Sequence, residues 1–309
     1  MWQNADVIQI QSVPELRTPT LLCAFNGWSD GSFASSGALS FLLAKWSTQR
    51  FAEVDPEQIY VYTTTRPSAV IVRPGERALR WPELAFHALR LPHAEQDLVL
   101  LLGPEPDLRW KECAETVVQF ARRIGTSQVV TLGCFLATVP HRGAVPLVGL
   151  SAEPTLRRRL ELMGAGPTDY QGPTAFTTAL ADAAARADLP AASIWAAAPA
   201  YLQGGSNPKI AVALLHAVEG LLASDLGLAE LEAAGRDLEQ RVDAALGARP
   251  DLQRFVAGLA GGLAESGPDV PEREEPPAEL PSPQEFLAEM ESFLKGLQRN
   301  EPEGGEPTG

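Results

Sequence analysis

The chain has little cysteine, an excess of acid over base and no long uncharged apolar run, and each shortage removes a class of function. Its three cysteines, Cys23, Cys113 and Cys134, lie far apart in apolar surroundings among 309 residues. That pattern fits buried, reduced thiols rather than disulfides or a zinc site. Lysine and arginine number 25 against 39 acidic residues, for a net charge of −14. There is no basic stripe to hold a phosphate backbone, so nucleic acid is not an expected partner, and an anionic membrane surface would repel the chain. No stretch approaches the roughly eighteen uncharged apolar residues of a membrane span. The first residues, MWQNADVIQI, have neither a basic region nor a long apolar run. No signal peptide is therefore expected, and the cytoplasm is the expected compartment.

The common catalytic signatures are missing as well. There is no G-x-S-x-G elbow, no H-E-x-x-H and no G-x-x-x-x-G-K-[ST] loop, and the histidines (His87, His93, His141, His216) show no metal-ligand spacing. Gly258, Gly261 and Gly262 follow no strand and make no dinucleotide fingerprint. No catalytic residue, metal or cofactor is assigned.

What the chain does contain is organised around residues 18–46, TPTLLCAFNGWSDGSFASSGALSFLLAKW. Leu21 to Phe25 is a continuous apolar run, as in a strand covered on both faces. Asn26 and Gly27 end it, and Ser29 or Asp30 can cap the helix that follows. The turn Gly27-Trp28-Ser29-Asp30-Gly31 therefore sits where a strand's carboxyl end meets a helix amino terminus, the usual ligand position in open α/β sheets. Further strands are expected at 6–13, 58–64, 97–102, 128–132, 146–150 and 192–198, and a hairpin at 69–80 around Pro74-Gly75. Helices are expected at 108–123, 153–163, 173–187 and, capped by Asn207 with Pro208 in the first turn, 207–223. Strands alternating with helices predict a three-layer α/β core over 5–224, with a mostly parallel sheet and helices on both faces. The runs 21–25, 99–102 and 129–132 are its expected central strands.

After Ser224 the pattern changes. Leu228, Leu231, Leu238 and Val242, then Leu252, Phe255, Val256, Leu259 and Leu263, predict a helical hairpin over 225–263. Residues 264–282 read as an acidic, proline-rich disordered linker. An amphipathic helix follows at 283–298, carrying Phe286, Leu287, Met290, Phe293, Leu294 and Leu297, and 299–309 reads as a disordered tail. From Glu265 onward there are twelve acidic and three basic residues, so most of the net charge lies in this region.

Taken in order, Phe25-Asn26-Gly27-Trp28-Ser29-Asp30-Gly31, Val139-Pro140-His141-Arg142, Tyr170-Gln171-Gly172-Pro173-Thr174, Ser193-Ile194-Trp195 with Pro199-Ala200-Tyr201, and Asn207-Pro208-Lys209 resemble the proteasome assembly chaperone family in its bacterial branch. The resemblance runs from about Val7 to Leu263. It implies a core of the phosphorylase/hydrolase-like kind, homo-oligomers, and assembly factors rather than catalysts. Some relatives carry a C-terminal hydrophobic–tyrosine–any tail that docks on the proteasome. This chain ends Pro307-Thr308-Gly309 and its last tyrosine is Tyr201, so that docking motif is not expected here.

Two classes of function follow. One is a non-enzymatic, homo-oligomeric scaffold or assembly factor for a client protein, which the resemblance and the missing catalytic pairs favour. Its interface candidates are Leu228, Phe255, Leu259, Phe286 and Phe293. The other is a small-molecule binder or enzyme using a pocket after the first core strand. Its candidate ligand-binding residues are Gly27, Trp28, Asp30, Gly31, His141, Arg142, Gly172 and Thr174. Each has an architectural reading beside it: Asp30 as a helix cap, Trp28 as a plug, Arg142 as an ordinary loop cation and Gly172-Pro173-Thr174 as a helix start. The two classes are separated by whether Asp30, His141 and Arg142 converge on one concave pocket.

Overall fold

A short strand, β1 (Ile8–Ile10), precedes the apolar run, which forms β2 (Thr20–Asn26). Side chains alternate across a strand. Leu22 and Ala24 accordingly enter one core, while Leu21, Cys23 and Phe25 enter the other. The computed structural model describes residues 7–202, 204–249, 252–254, 256, 258 and 259. Phe255, Phe286 and Phe293 lie outside the described residues, as do the expected linker (264–282), amphipathic helix (283–298) and tail (299–309).

A 3-10 turn at Gly31–Phe33 leads into α1 (Ala34–Lys45) and β3 (Thr48–Val54). Then come α2 (Pro56–Ile59), a hairpin of β4 (Ser68–Arg73) and β5 (Glu76–Arg80), and strands β6 (Leu84–Leu89) and β7 (Leu98–Pro104). These are followed by α3 (Trp110–Arg123), β8 (Gln128–Ala137), β9 (Leu147–Leu150), α4 (Pro154–Leu162), β10 (Ala165–Gly166), α5 (Phe176–Arg186) and β11 (Ala191–Pro199). A second 3-10 turn (Ala200–Leu202), α6 (Pro208–Leu222) and α7 (Ala229–Gly247) follow.

Nine strands form one sheet in the order β1-β3-β6-β7-β2-β8-β11-β9-β10. The four strands β7, β2, β8 and β11 run parallel to one another. The three expected central runs therefore lie side by side in the interior. The sheet as a whole is mixed, not mostly parallel. β1–β3, β3–β6, β6–β7 and β9–β11 pair antiparallel. For β6 and β7 the cause is connection length: the chain passes directly from Leu89 to Leu98, and a short link joins only antiparallel neighbours.

Helices α1, α4 and α6 cover one face and α3 and α5 the other. The expected strand at 58–64 is absent. Asp55 accepts from the Glu57 amide at 3.1 Å with Pro56 in the first turn, so residues 58 and 59 join α2. Beyond it the Val61 amide donates to Asp107 at 2.8 Å and the chain turns, with the Thr64 amide on the Val61 carbonyl. The strands that fill that part of the sheet, β3 and β6, carry Arg50, Glu53 and His87 among their apolar residues and escape a periodicity search.

α7 lies on α6. The Trp46 indole donates to the Leu226 carbonyl at 3.1 Å, and Leu228 is buried in its own chain's first core, only 4% exposed. Leu228 therefore cannot serve at a surface between copies: the link from α6 to α7 turns it inward. Beyond α7, Leu252 and Val256 pack with Tyr201, Leu202, Val242 and Leu246, with Leu259 partly buried against them. Among the described residues no helix is long and apolar enough to cross a membrane.

Strand β7 runs tightly against the start of its neighbour β6. A Cβ on Gly103 would collide with the Glu83 carbonyl and lie 2.8 Å from Leu84 Cα. Backbone cannot rotate aside, so Gly103→Ala should cost about 1–3 kcal/mol. Gly166, with nothing within 4 Å of such a Cβ, should tolerate alanine to within about 0.5 kcal/mol. Urea denaturation of both variants checks the contrast.

Candidate functional site at the carboxyl edge of the sheet

β2 ends against Glu105, the residue after β7. Gly27 holds φ at +148°, and a Cβ there would stand 3.1 Å from the Glu105 side chain. The missing side chain leaves room for the Glu105 carboxylate to accept from the Phe176 amide at 2.5 Å. Glu105 thereby satisfies the amino terminus of α5, which therefore does not stand open as an anion site.

Asp30 is buried, 7% exposed. Its carboxylate accepts from Asn26 Nδ2 at 3.2 Å, Ser35 Oγ at 2.6 Å, the Ser36 amide at 3.0 Å and Ser36 Oγ at 2.5 Å. It caps α1, but from a distance. Ser32 and Phe33 hold φ at 53° and 47°, so the chain coils back and the first helical turn points at Asp30. Gly31 faces β8 closely: a Cβ would lie 3.0 Å from the Cys134 carbonyl. Burial, reinforced by Asp30, pushes the Cys134 thiol up to about 12, far from a nucleophilic thiolate.

A second polar cluster follows β8. His141 is buried, with Nε2 2.9 Å from Asp243 Oδ1 and Nδ1 2.9 Å from the Tyr201 hydroxyl. That hydroxyl also accepts from the His141 amide at 2.7 Å. A carboxylate only accepts, so Nε2 carries the proton and Nδ1 accepts from Tyr201. Arg142 donates to both oxygens of Asp243. Lys209 donates to the His141 carbonyl and to Glu239, each at 2.5 Å. Asp243 and Glu239 both belong to α7, so the cluster clamps the loop after β8 and the start of α6 to that helix. The crevice that His141 lines with Pro146, Ala197, Leu202, Ile210 and Val242 has room for roughly one water molecule.

The sequence-predicted residues thus fall into three groups. Asp30 turns to α1, and His141 and Arg142 turn to α7. Gly172 and Thr174 are exposed in the loop before α5, where the Tyr170 hydroxyl donates to the Pro173 carbonyl at 2.9 Å. Among the described residues no hydrogen bond joins Asp30 to His141 or Arg142. Glu105, Glu239 and Asp243 were not singled out from sequence, and Tyr201 only within the motif Pro199-Ala200-Tyr201. The acidic pair on α7 lies among leucines read only as a seam, although a spacing of four places Glu239 and Asp243 on one helical face. What this edge exposes is apolar: Trp28 (59%), Phe33 (51%), Phe135 and Leu136.

Residues 24–246 match the model of the PAC2 family. The chain belongs to the PAC2 family. No curated protein matches it. Among solved structures, it is similar to a PAC2 family protein from Streptomyces avermitilis at 33% identity, covering 73% of this chain and 95% of that one with a TM-score of 0.67. It is also similar to the Mycobacterium tuberculosis proteasome-assembly chaperone homologue Rv2125, at 31% identity over 77% of this chain and 99% of that one, TM-score 0.70. The Pyrococcus furiosus archaeal proteasome activator PbaB shares the fold, with 16% identity over 77% of this chain and 97% of its own and a TM-score of 0.61. This PAC2 chain therefore joins the expected family.

The clamp has a pH dependence of definite sign. Burial first, then Arg142 and Lys209, lower the His141 pKa against the opposing pull of Glu239. Asp243, already engaged by Arg142, accepts from the neutral ring. The unfolded histidine titrates near about 6.5, so below that pH the unfolded chain takes up a proton that the folded chain refuses, and stability falls. His87, lowered chiefly by burial, adds to the same trend. Urea midpoints should drop between pH 7.5 and pH 5.5, and His141→Gln should flatten the drop; an unchanged slope would place the effect elsewhere.

Proposed function

We propose that this PAC2 protein is a non-enzymatic, homo-oligomeric assembly factor that acts on a client protein in the cytoplasm. The observation that carries the reading is the state of the sheet's carboxyl edge. Its polar side chains are engaged with the protein's own helices, its crevice has room for roughly one water, and its exposed surface is aromatic and aliphatic. Ligand sites are concave and enclose most of their ligand, whereas an exposed apolar patch fits contact with another protein. Likeness to a mycobacterial proteasome-assembly chaperone homologue at 31% identity supports the same class. Three buried free cysteines suit a reducing compartment.

Within this reading the core over 5–224 is of the phosphorylase/hydrolase-like kind, and 225–263 is a helical hairpin. Self-association uses the hairpin, through Phe255 and the partly buried Leu259. Closed homo-oligomers are the common way to bury such a surface. Sedimentation velocity tests it. The wild type should sediment as an oligomer, and Phe255→Asp with Leu259→Asp should split it, since each buried apolar side chain is worth about 1.5–3 kcal/mol. Circular dichroism checks that the variant is folded. A monomeric wild type contradicts self-association, and an oligomer that survives in a folded variant places the contact elsewhere.

A further inference from the structure

The β4–β5 hairpin forms a sheet of its own. Apart from half-buried Val70, every residue in its two strands is exposed. The register sets Ala69 opposite Leu79 and Ile71 opposite Arg77, so Ile71, Leu79 and Arg77 share one face. Ile71 is 73% and Leu79 59% exposed, and Trp81 extends the apolar surface past the end of β5. A two-stranded hairpin with both faces in water is at best marginally stable, and a cluster of large exposed apolar groups marks a docking surface.

The arm's charge says what would cover it. Arg66, Arg73, Arg77 and Arg80 face one acid, Glu76, within residues 66–81, in a chain whose net charge is −14. A complementary cover is apolar and acidic. Residues 283–298, outside the described part of the chain, have that chemistry. Phe286, Met290, Phe293 and Leu297 recur at helical spacing, and Glu285, Glu289 and Glu291 stand against Lys295.

We propose that the β4–β5 arm is the docking surface for segment 283–298 of the same chain. Twenty-six residues lie between Leu259 and Phe286. Such a tether spans about 30 Å as a coil and up to about 90 Å extended, against a body roughly 45 Å across. Tethering sets a millimolar-scale local concentration, which favours the chain's own segment over a second copy or another acidic protein.

The test is hydrogen exchange on the full-length protein, followed by mass spectrometry. Arm amides should exchange at least about tenfold faster in Phe286→Asp with Phe293→Asp, and in Arg77→Glu with Arg80→Glu, while the α/β core stays unchanged. Equal arm exchange in the wild type and the segment variant overturns the proposal, including the case where another copy's body covers the arm. Photo-cross-linking from position 71 then fixes the source. A probe in the otherwise wild-type chain should join its own 283–298 peptide. A probe in a chain carrying Phe286→Asp and Phe293→Asp, co-expressed with a tagged intact chain, should give no adduct between the two; an adduct through the tagged chain's 283–298 peptide overturns same-chain docking.

Discussion

At the carboxyl end of β2, four donors converge on the Asp30 carboxylate: one from Asn26, two hydroxyls from Ser35 and Ser36, and the Ser36 amide. A buried charge is tolerated only when it is well satisfied, and here its satisfaction dictates geometry. The chain must coil through two left-handed residues to bring α1's first turn to Asp30. That coil sets the direction in which α1 crosses the sheet, and Ala34, Ala38, Leu39 and Leu42 then fill the first core. It also leaves Phe33 exposed, as Trp28 is. One carboxylate thus orients a helix, closes the end of a central strand and leaves an aromatic rim.

The same logic recurs along the edge. Glu105 satisfies α5, and Asp243 and Glu239 hold the loop after β8 against α7. In open α/β sheets this edge is where ligands bind, and there a carboxylate, an imidazole and a guanidinium would face a shared cavity. In this PAC2 chain the Asp30 carboxylate is turned to α1, while His141 and Arg142 are both turned to Asp243 on α7. Tyr201, His141 and Asp243 make a hydrogen-bonded relay, but burial raises the Tyr201 hydroxyl to about 12 against the opposing pull of the His141 amide, and the crevice beside it has no room for a substrate. Such a relay fastens the loop after β8 to α7.

Much of this was legible in the sequence. Continuous apolar runs identify β2, β7 and β8 because both faces of a central strand are buried. Asn207-Pro208 marks the start of α6, whose Ile210 amide bonds Asn207 Oδ1 at 3.3 Å. The edge strands were harder. β3 carries Arg50 and Glu53, which pair with each other at 2.6 Å, so its pattern is neither alternating nor continuous. The β-prone segment 60–64 is drawn into a turn instead, its Val61 amide bound by Asp107, a partner that propensity sums do not weigh. For the site, residue types pointed to the right loops but not to their partners. Asp30, His141 and Arg142 could be named; that Asp30 faces α1 while His141 and Arg142 face α7 depends on left-handed backbone at 32–33 and on a carboxylate in α7, far away in sequence.

The central claim is that the sheet's carboxyl edge works by touching protein. In-cell photo-cross-linking from position 33, with benzoylphenylalanine in place of Phe33, tests it most directly. The account predicts adducts heavier by at least one polypeptide, whether a client or a second copy. A chain that is expressed, folded and exposed to light yet stays at its own mass would contradict it.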